Sequence, residues 1–209
     1  KEFPDDCLEI IDKRDFRYSR PSKKERDDII LGILKRMNSS QLTVSGSHRQ
    51  SDWETGWSEN LKAFNISGNH MDLIPKFIRP LQPIRIDGDF AIPLSTTFEF
   101  DFVDVLRRCI FQKYFFKSSE IYELGCGSCQ HFPVLHELFP EKRITGIDWA
   151  SSSINIIEIL REKLGWNLRG LKCNFFNPSP EIIIQEGSAV FTIGTLEQLG
   201  NDFKPLLNL

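Results

Sequence analysis

The 209-residue chain has no apolar run near the ~20 residues that cross a bilayer. Its first residues, KEFPDDCLEI, are acidic and mixed, unlike a secretory signal. They do not begin with Met, so the chain is expected to be processed or cut from a longer one. A basic excess is also missing: 26 Lys and Arg stand against 29 Asp and Glu, a formal net charge of −3 with a pI of about 5.9. A dedicated nucleic-acid binder uses surplus cations to displace counterions from phosphates, so no nucleic-acid partner is expected. The short basic runs KKER and Arg107-Arg108 read as solvated helix faces. Cysteine is scarce and odd in number: Cys7, Cys109, Cys126, Cys129 and Cys173 have no framework spacing. Free thiols in a reducing cytoplasm are the expectation, with no membrane association.

What is present divides into two unlike stretches. Residues 1–95 read as a helical and irregular extension. Ser22 and Glu25 match a capping box, and Ile29, Ile30, Ile33, Leu34 and Met37 follow on one helical face. A second capping box is read at Ser51/Glu54, ahead of a stripe of Trp53, Trp57, Leu61 and Phe64. That stripe could stack on a ligand such as a sugar, but a helix burying its apolar face is the favoured explanation. The proline-rich stretch from Ile74 to Leu94, with Asp87-Gly88 as a turn signal, reads as an extended connector.

Residues 96–209 read as an α/β unit. A helix with Phe98, Phe102, Val105, Leu106, Cys109 and Ile110 on its apolar face comes first. Alternation follows: strand 121–124, helix 130–139, strand 143–148, helix 152–164, strand 168–174 and strand 189–194. In the second of these helices Ile154, Ile157, Leu160 and Leu164 form the stripe. Such alternation implies a Rossmann-like, doubly wound parallel sheet, here of about four strands.

The loop after the first strand, in EIYELGCGSCQHF, lies where a doubly wound sheet binds ligands, at the carboxyl ends of its strands. Gly125 and Gly127 permit positive φ and close approach. The following helix offers N–H groups to an anion. A dinucleotide fold would want glycine where Gln130 stands, and Glu123 would repel a pyrophosphate. Cys126 and Cys129 form a C-x-x-C, yet zinc needs two more ligands and no second pair exists, although Cys173, His131 and His136 are candidates. A redox use would not call for Glu123 and both glycines. No metal is expected.

The residues E-L-G-C-G-S-C resemble the first motif of the class I SAM-dependent methyltransferases, E/D-x-G-x-G-x-G, with Cys129 replacing the third glycine. That resemblance covers residues 96–209, a little over half the chain. It implies S-adenosylmethionine as cofactor, with Glu123, Gly125, Cys126 and Gly127 around its methionine end. Asp148, 23 residues after Gly125, is then the acid for the ribose hydroxyls; it could instead cap the next helix. Trp149 follows Asp148 beside the nucleoside. Asn174 stands at the family's second motif, where it would take the adenine amino group, with Phe175 or Phe176 over the ring. Gly194, in TIGTLEQLG, would border the transfer site with Thr195, Glu197 and Gln198. No N/D-P-P-Y motif is present, which argues against a DNA amino-methyltransferase.

The implied activity is methyl transfer to a small molecule or saccharide, with residues 1–95 as a cap over the acceptor. The alternatives are an NAD(P)-dependent oxidoreductase and a non-catalytic module of the same fold. Glu197, His131 and His136 are the visible candidates for a base, and none is assigned. The family's sheet has seven strands, so strand 189–194 would be an apolar open edge. A continuing chain or a partner is expected to cover it.

Overall fold

The computed structural model describes residues 3–39 and 45–209. From the N-terminus run α1 (Asp5–Lys13), β1 (Tyr18–Ser19), α2 (Lys23–Met37), α3 (Gln50–Ser67), β2 (Ile84–Ile86) and β3 (Asp89–Pro93). There follow α4 (Phe98–Phe115), β4 (Glu120–Leu124), α5 (Phe132–Leu138), β5 (Arg143–Asp148) and α6 (Ser151–Leu164). Last come β6 (Leu168–Lys172), β7 (Ala189–Phe191) and α7 (Thr195–Leu199). These form two compact units interleaved along the chain. One comprises Lys1–Val44 and Phe77–Ile110, the other Ser45–Lys76 and Phe111–Leu209. The tryptophan-bearing segment thus belongs with the parallel sheet.

In the first unit β3 lies between β1 and β2, antiparallel to both. Asp87 and Gly88 take φ of 52° and 81° between β2 and β3. Two consecutive positive φ values make the tight turn that matches strand twist. The stretch expected as a connector is therefore a hairpin. α2 keeps its Ser22/Glu25 capping box but buries no residue, so its isoleucine stripe is not a core face.

α4 also turns a different face inward from the one expected. Phe98 and Val105 are buried, whereas Phe102, Leu106 and Ile110 are exposed. The inward row is Phe98, Asp101, Val105 and Arg108, spaced at three and four residues. Polar partners make it possible: Thr97 Oγ1 donates to Asp101 at 2.6 Å, and Arg108 pairs with Asp6 and Asp104. Hydrophobicity alone picked the neighbouring stripe because it cannot see such pairing.

The second unit is built on a four-stranded parallel sheet ordered β6-β5-β4-β7. This is a Rossmann-like α/β arrangement. Strand order reverses at β4, so the crevice above the β4 and β7 ends is the switch point. Alternation along β4 sends Ile121 to one face and Tyr122 and Leu124 to the other. Ile121 and Ile144 pack with Phe64, Phe132, Leu135, Ile156, Ile157 and Leu160. Tyr122, Leu124 and Ile147 pack with Phe175, Leu199 and Leu206. In α6 the buried apolar residues are Ile156, Ile157 and Leu160, while Leu164, placed in its stripe from sequence, is exposed.

Gly146 in β5 pairs in register with Glu123 of β4. A Cβ there would come within 2.7 Å of Ile157 Cδ1 and 2.8 Å of both Cys126 Sγ and Phe132 Cζ. The missing side chain is what lets the β4–α5 loop, α5 and α6 converge over the sheet.

Candidate functional site

The β4–α5 loop is folded by its own backbone. Gly125 and Gly127 take φ of 77° and 53°, and Cys129 takes 61°. Cys129 therefore holds the left-handed conformation that glycine would adopt more cheaply at that place. Gly125 N–H and Cys126 N–H both donate to Ile147 O, at 2.7 and 3.3 Å, and Cys129 N–H donates to Cys126 O at 2.8 Å. Both thiols are buried. The Cys126–Cys129 contact and then burial push the Cys126 thiol well up, and burial raises that of Cys129. They stay protonated at neutral pH and act as packing groups. Among the described residues no cluster of three or more His, Cys, Asp or Glu could hold a metal ion.

The two acids expected at the site are both buried: Glu123 is 2% exposed and Asp148 4%. Glu123 Oε1 lies 3.8 Å from His131 Nε2 beneath the loop. Asp148 Oδ2 accepts from Gly127 N–H at 2.8 Å, and Oδ1 from Ala150 N–H at 2.9 Å. Asp148 thus ties the glycine loop to the start of α6. Burial raises its carboxyl to about 6 despite those donors. In the same loop, Ser128 Oγ is buried and makes no hydrogen bond.

The other expected residues are more scattered. Trp149 is half-buried and faces Phe176, with ring centroids 5.7 Å apart. Phe175 is core, packed with Tyr122 and Ile147, so the ring beside Trp149 is that of Phe176. Asn174 is exposed, and its Oδ1 accepts from Phe176 N–H at 3.0 Å. Gly194 opens α7 with φ of 79° and is exposed. Of the candidate bases, His131 is buried, His136 stacks on Trp166 at 4.4 Å, and Glu197 is exposed on α7.

Three further side chains close around the loop. Thr192 and Thr195 donate to Leu124 O at 2.7 and 3.0 Å, on the switch-point side. A Cβ on Gly125 would lie 2.0 Å from Thr195 Oγ1, and one on Gly127 would lie 2.9 Å from Trp57 Cζ2. Here, each glycine makes room for a protein side chain. Trp57 stacks on Trp53 at 5.4 Å, and the Arg49 guanidinium lies over Trp53 while donating to Gln198 at 3.1 Å.

Glu54 is not half of a capping box. α3 starts at Gln50 with Arg49 as its N-cap, two residues before the expected Ser51. The Glu54 carboxylate instead accepts from Ser151 N–H at 2.6 Å and Ser152 N–H at 2.9 Å. α6 has no side-chain cap of its own from Ala150, so α3 supplies it. The signal for Trp57 was its stripe on α3. Nothing in the sequence pairs Glu54 with Ser151.

No protein-family model matches the chain, and no curated protein matches it significantly. Three of the solved structures it resembles are methyltransferases. Geranyl diphosphate C-methyltransferase from Streptomyces coelicolor A3(2), in complex with Mg2+, geranyl-S-thiolodiphosphate and S-adenosyl-L-homocysteine, is 14% identical. Its TM-score is 0.40, over 75% of this chain and 61% of that one. Coclaurine N-methyltransferase bound to N-methylheliamine and S-adenosylhomocysteine is 11% identical, with a TM-score of 0.40 over 82% and 56%. Protein-L-isoaspartate O-methyltransferase is 14% identical, with a TM-score of 0.31 over 66% and 47%. The chain spans less than two thirds of each. Among the described residues no helix is long and apolar enough to cross a membrane. A functional reading therefore rests on this chain's own residues, on a sheet whose strand order is of the Rossmann type.

Proposed function

We propose that the chain is an S-adenosylmethionine-dependent methyltransferase acting on a small molecule or saccharide. The observation that supports this best is the loop at the switch point. Two buried carboxylates, Glu123 and Asp148, bracket a glycine corner that holds a buried hydroxyl, Ser128 Oγ, with no partner. A buried polar atom without a partner calls for an explanation, and a ligand atom is one. Gln130 in place of a third dinucleotide glycine, and Glu123 near the loop, weigh against a pyrophosphate.

In this reading Ser128 hydrogen-bonds the methionine end, and Asp148 takes ribose hydroxyls with the lone pairs its backbone donors leave over. Trp149 and Phe176 flank the nucleobase, and Asn174 lies at its edge. The cofactor, when bound, supplies a methyl group already activated on a sulfonium. The chain's own work is then to align and to exclude water, which can contribute about 7–11 kcal/mol. Trp57 and Thr195 are the side chains placed to exclude it; both must shift for a ligand to touch Gly125 and Gly127. No base is assigned. His131 is buried beside Glu123 and His136 is stacked on Trp166, which leaves neither placed for an acceptor.

A second reading, a non-catalytic module of the same fold, is favoured by one observation. Thr195 and Trp57 already fill the space over both glycines. Calorimetric titration separates the readings. S-adenosylhomocysteine is expected to bind and NADH not to. Asp148→Ala is expected to weaken that binding about tenfold or more, one lost charged hydrogen bond, with its far-UV circular dichroism unchanged. Heat from neither ligand would leave the module reading, and heat from NADH alone would return the oxidoreductase.

A further inference from the structure

The first unit contains two thiols that neither the fold nor the proposed function uses. Cys7 is the one buried residue of α1, and Cys109 lies half-buried on α4. Their sulfurs are 3.3 Å apart although 102 residues separate them in sequence. Cys7 Sγ also lies 3.7 Å from Val105 O. The contacts around the pair hold the two helices in place. Arg108 reaches Asp6 at 3.3 Å, and Arg14, just past α1, reaches Asp101 at 3.6 Å. α1 thus lies along the Asp101–Val105–Arg108–Cys109 side of α4, with the sulfurs meeting inside that seam.

We propose that Cys7 and Cys109 are a reversible oxidation site, closing to a disulfide that fastens α1 to α4 when the protein meets a peroxide. The geometry needs little change, since a disulfide brings sulfurs to about 2.05 Å, and a side-chain rotation covers the difference. Holding two reactive groups at contact distance replaces a bimolecular step by an intramolecular one.

Oxidation begins at Cys109, the thiol that solvent reaches. Its sulfur attacks hydrogen peroxide; the O–O bond breaks, an S–O bond forms, and one water leaves. The product is a sulfenic acid, which condenses readily with a neighbouring thiol. Cys7 sulfur then displaces the sulfenic hydroxyl, which departs as a second water carrying the Cys7 proton, and the S–S bond forms. Each sulfur gives up one electron, and the two reduce one peroxide to two waters. Burial, then the Cys109 contact, push the Cys7 thiol up to about 12, so Cys7 is not the thiol that meets peroxide first; its place in the second step rests on its contact with Cys109. Cys126 and Cys129 are buried in the glycine loop and Cys173 in the sheet's other core, so peroxide reaches none of them as easily.

The test treats the full chain with hydrogen peroxide and reads intact mass and non-reducing peptide maps. A loss of about 2 Da is expected, from one disulfide, with Cys7 and Cys109 peptides linked and released by dithiothreitol. Because the closed loop is long, the thermal midpoint of the oxidised chain is expected to rise by at least about 5 °C. Cys109→Ser and Cys7→Ser should each abolish the link and the rise. Sulfinic or sulfonic acid on Cys109 without a link, a Cys126–Cys129 link in its place, or an unchanged mass would each overturn the proposal. The wild-type map decides it even if a serine variant fails to fold.

Discussion

Gly146→Ala is the substitution whose effect follows most directly from the packing. The added methyl would sit 2.7–2.8 Å from Ile157 Cδ1, Cys126 Sγ and Phe132 Cζ, roughly an ångström inside carbon–carbon contact distance. None of the three can swing into solvent: Ile157 and Phe132 are fully buried and Cys126 is 4% exposed. Overpacking a well-filled core costs about 1–3 kcal/mol, and three simultaneous overlaps place this case near 3. At about 2–4 °C per kcal/mol for a chain of this size, the midpoint should fall by about 6–12 °C. Thermal unfolding followed by tryptophan fluorescence and circular dichroism measures it. Adding Ile157→Val removes one of the three overlapping atoms, so the double variant should be more stable than Gly146→Ala alone, a non-additive pair. A single variant within about 0.5 kcal/mol of wild type would show that β5 yields at this point and that loop, α5 and α6 are not locked together there.

Two further outcomes are expected. Glu54→Ala strips both acceptors from the start of α6 and should destabilise by about 2 kcal/mol, the upper range for a lost cap. Glu54→Gln should lose about half of that, and a Gln variant as stable as wild type would remove the charge from the account. Asp148 titrates near 6 in the fold and near 3.9 when unfolded, so the folded state holds the extra proton between those values. Stability from this group is full below about pH 4 and falls as pH rises through 6. Wild type should therefore gain about 2 kcal/mol on Asp148→Asn between pH 7 and pH 4. A flat or reversed difference would mean that the Gly127 and Ala150 donors outweigh burial.

Much of the second unit is legible in the sequence. β5 runs from Arg143 to Asp148 as expected, and α6 and β6 begin within a residue of their expected starts. Short apolar runs alternating with an amphipathic helix leave few other arrangements. The strand expected at 189–194 stops at Phe191, and Gly194 instead turns the chain into α7. The α4 face was misjudged because its buried row is stabilised by ion pairs that hydrophobicity does not register. In the site, the burial of Glu123 and Asp148 was not legible, and neither was what fills the space above Gly125 and Gly127. A glycine announces a close approach without saying by what. Trp57 and Thr195 come from segments 70 residues to either side, and only the tertiary fold names them.

The bond from Ser151 to Glu54 spans 97 residues, which orders events as the chain emerges from a ribosome. At about 5–20 residues per second, α3 leaves the exit tunnel about 5–20 s before the residues it will cap. Through that interval its tryptophans have no parallel sheet to lie against, and this is when a chaperone that reads exposed aromatic surface would find them.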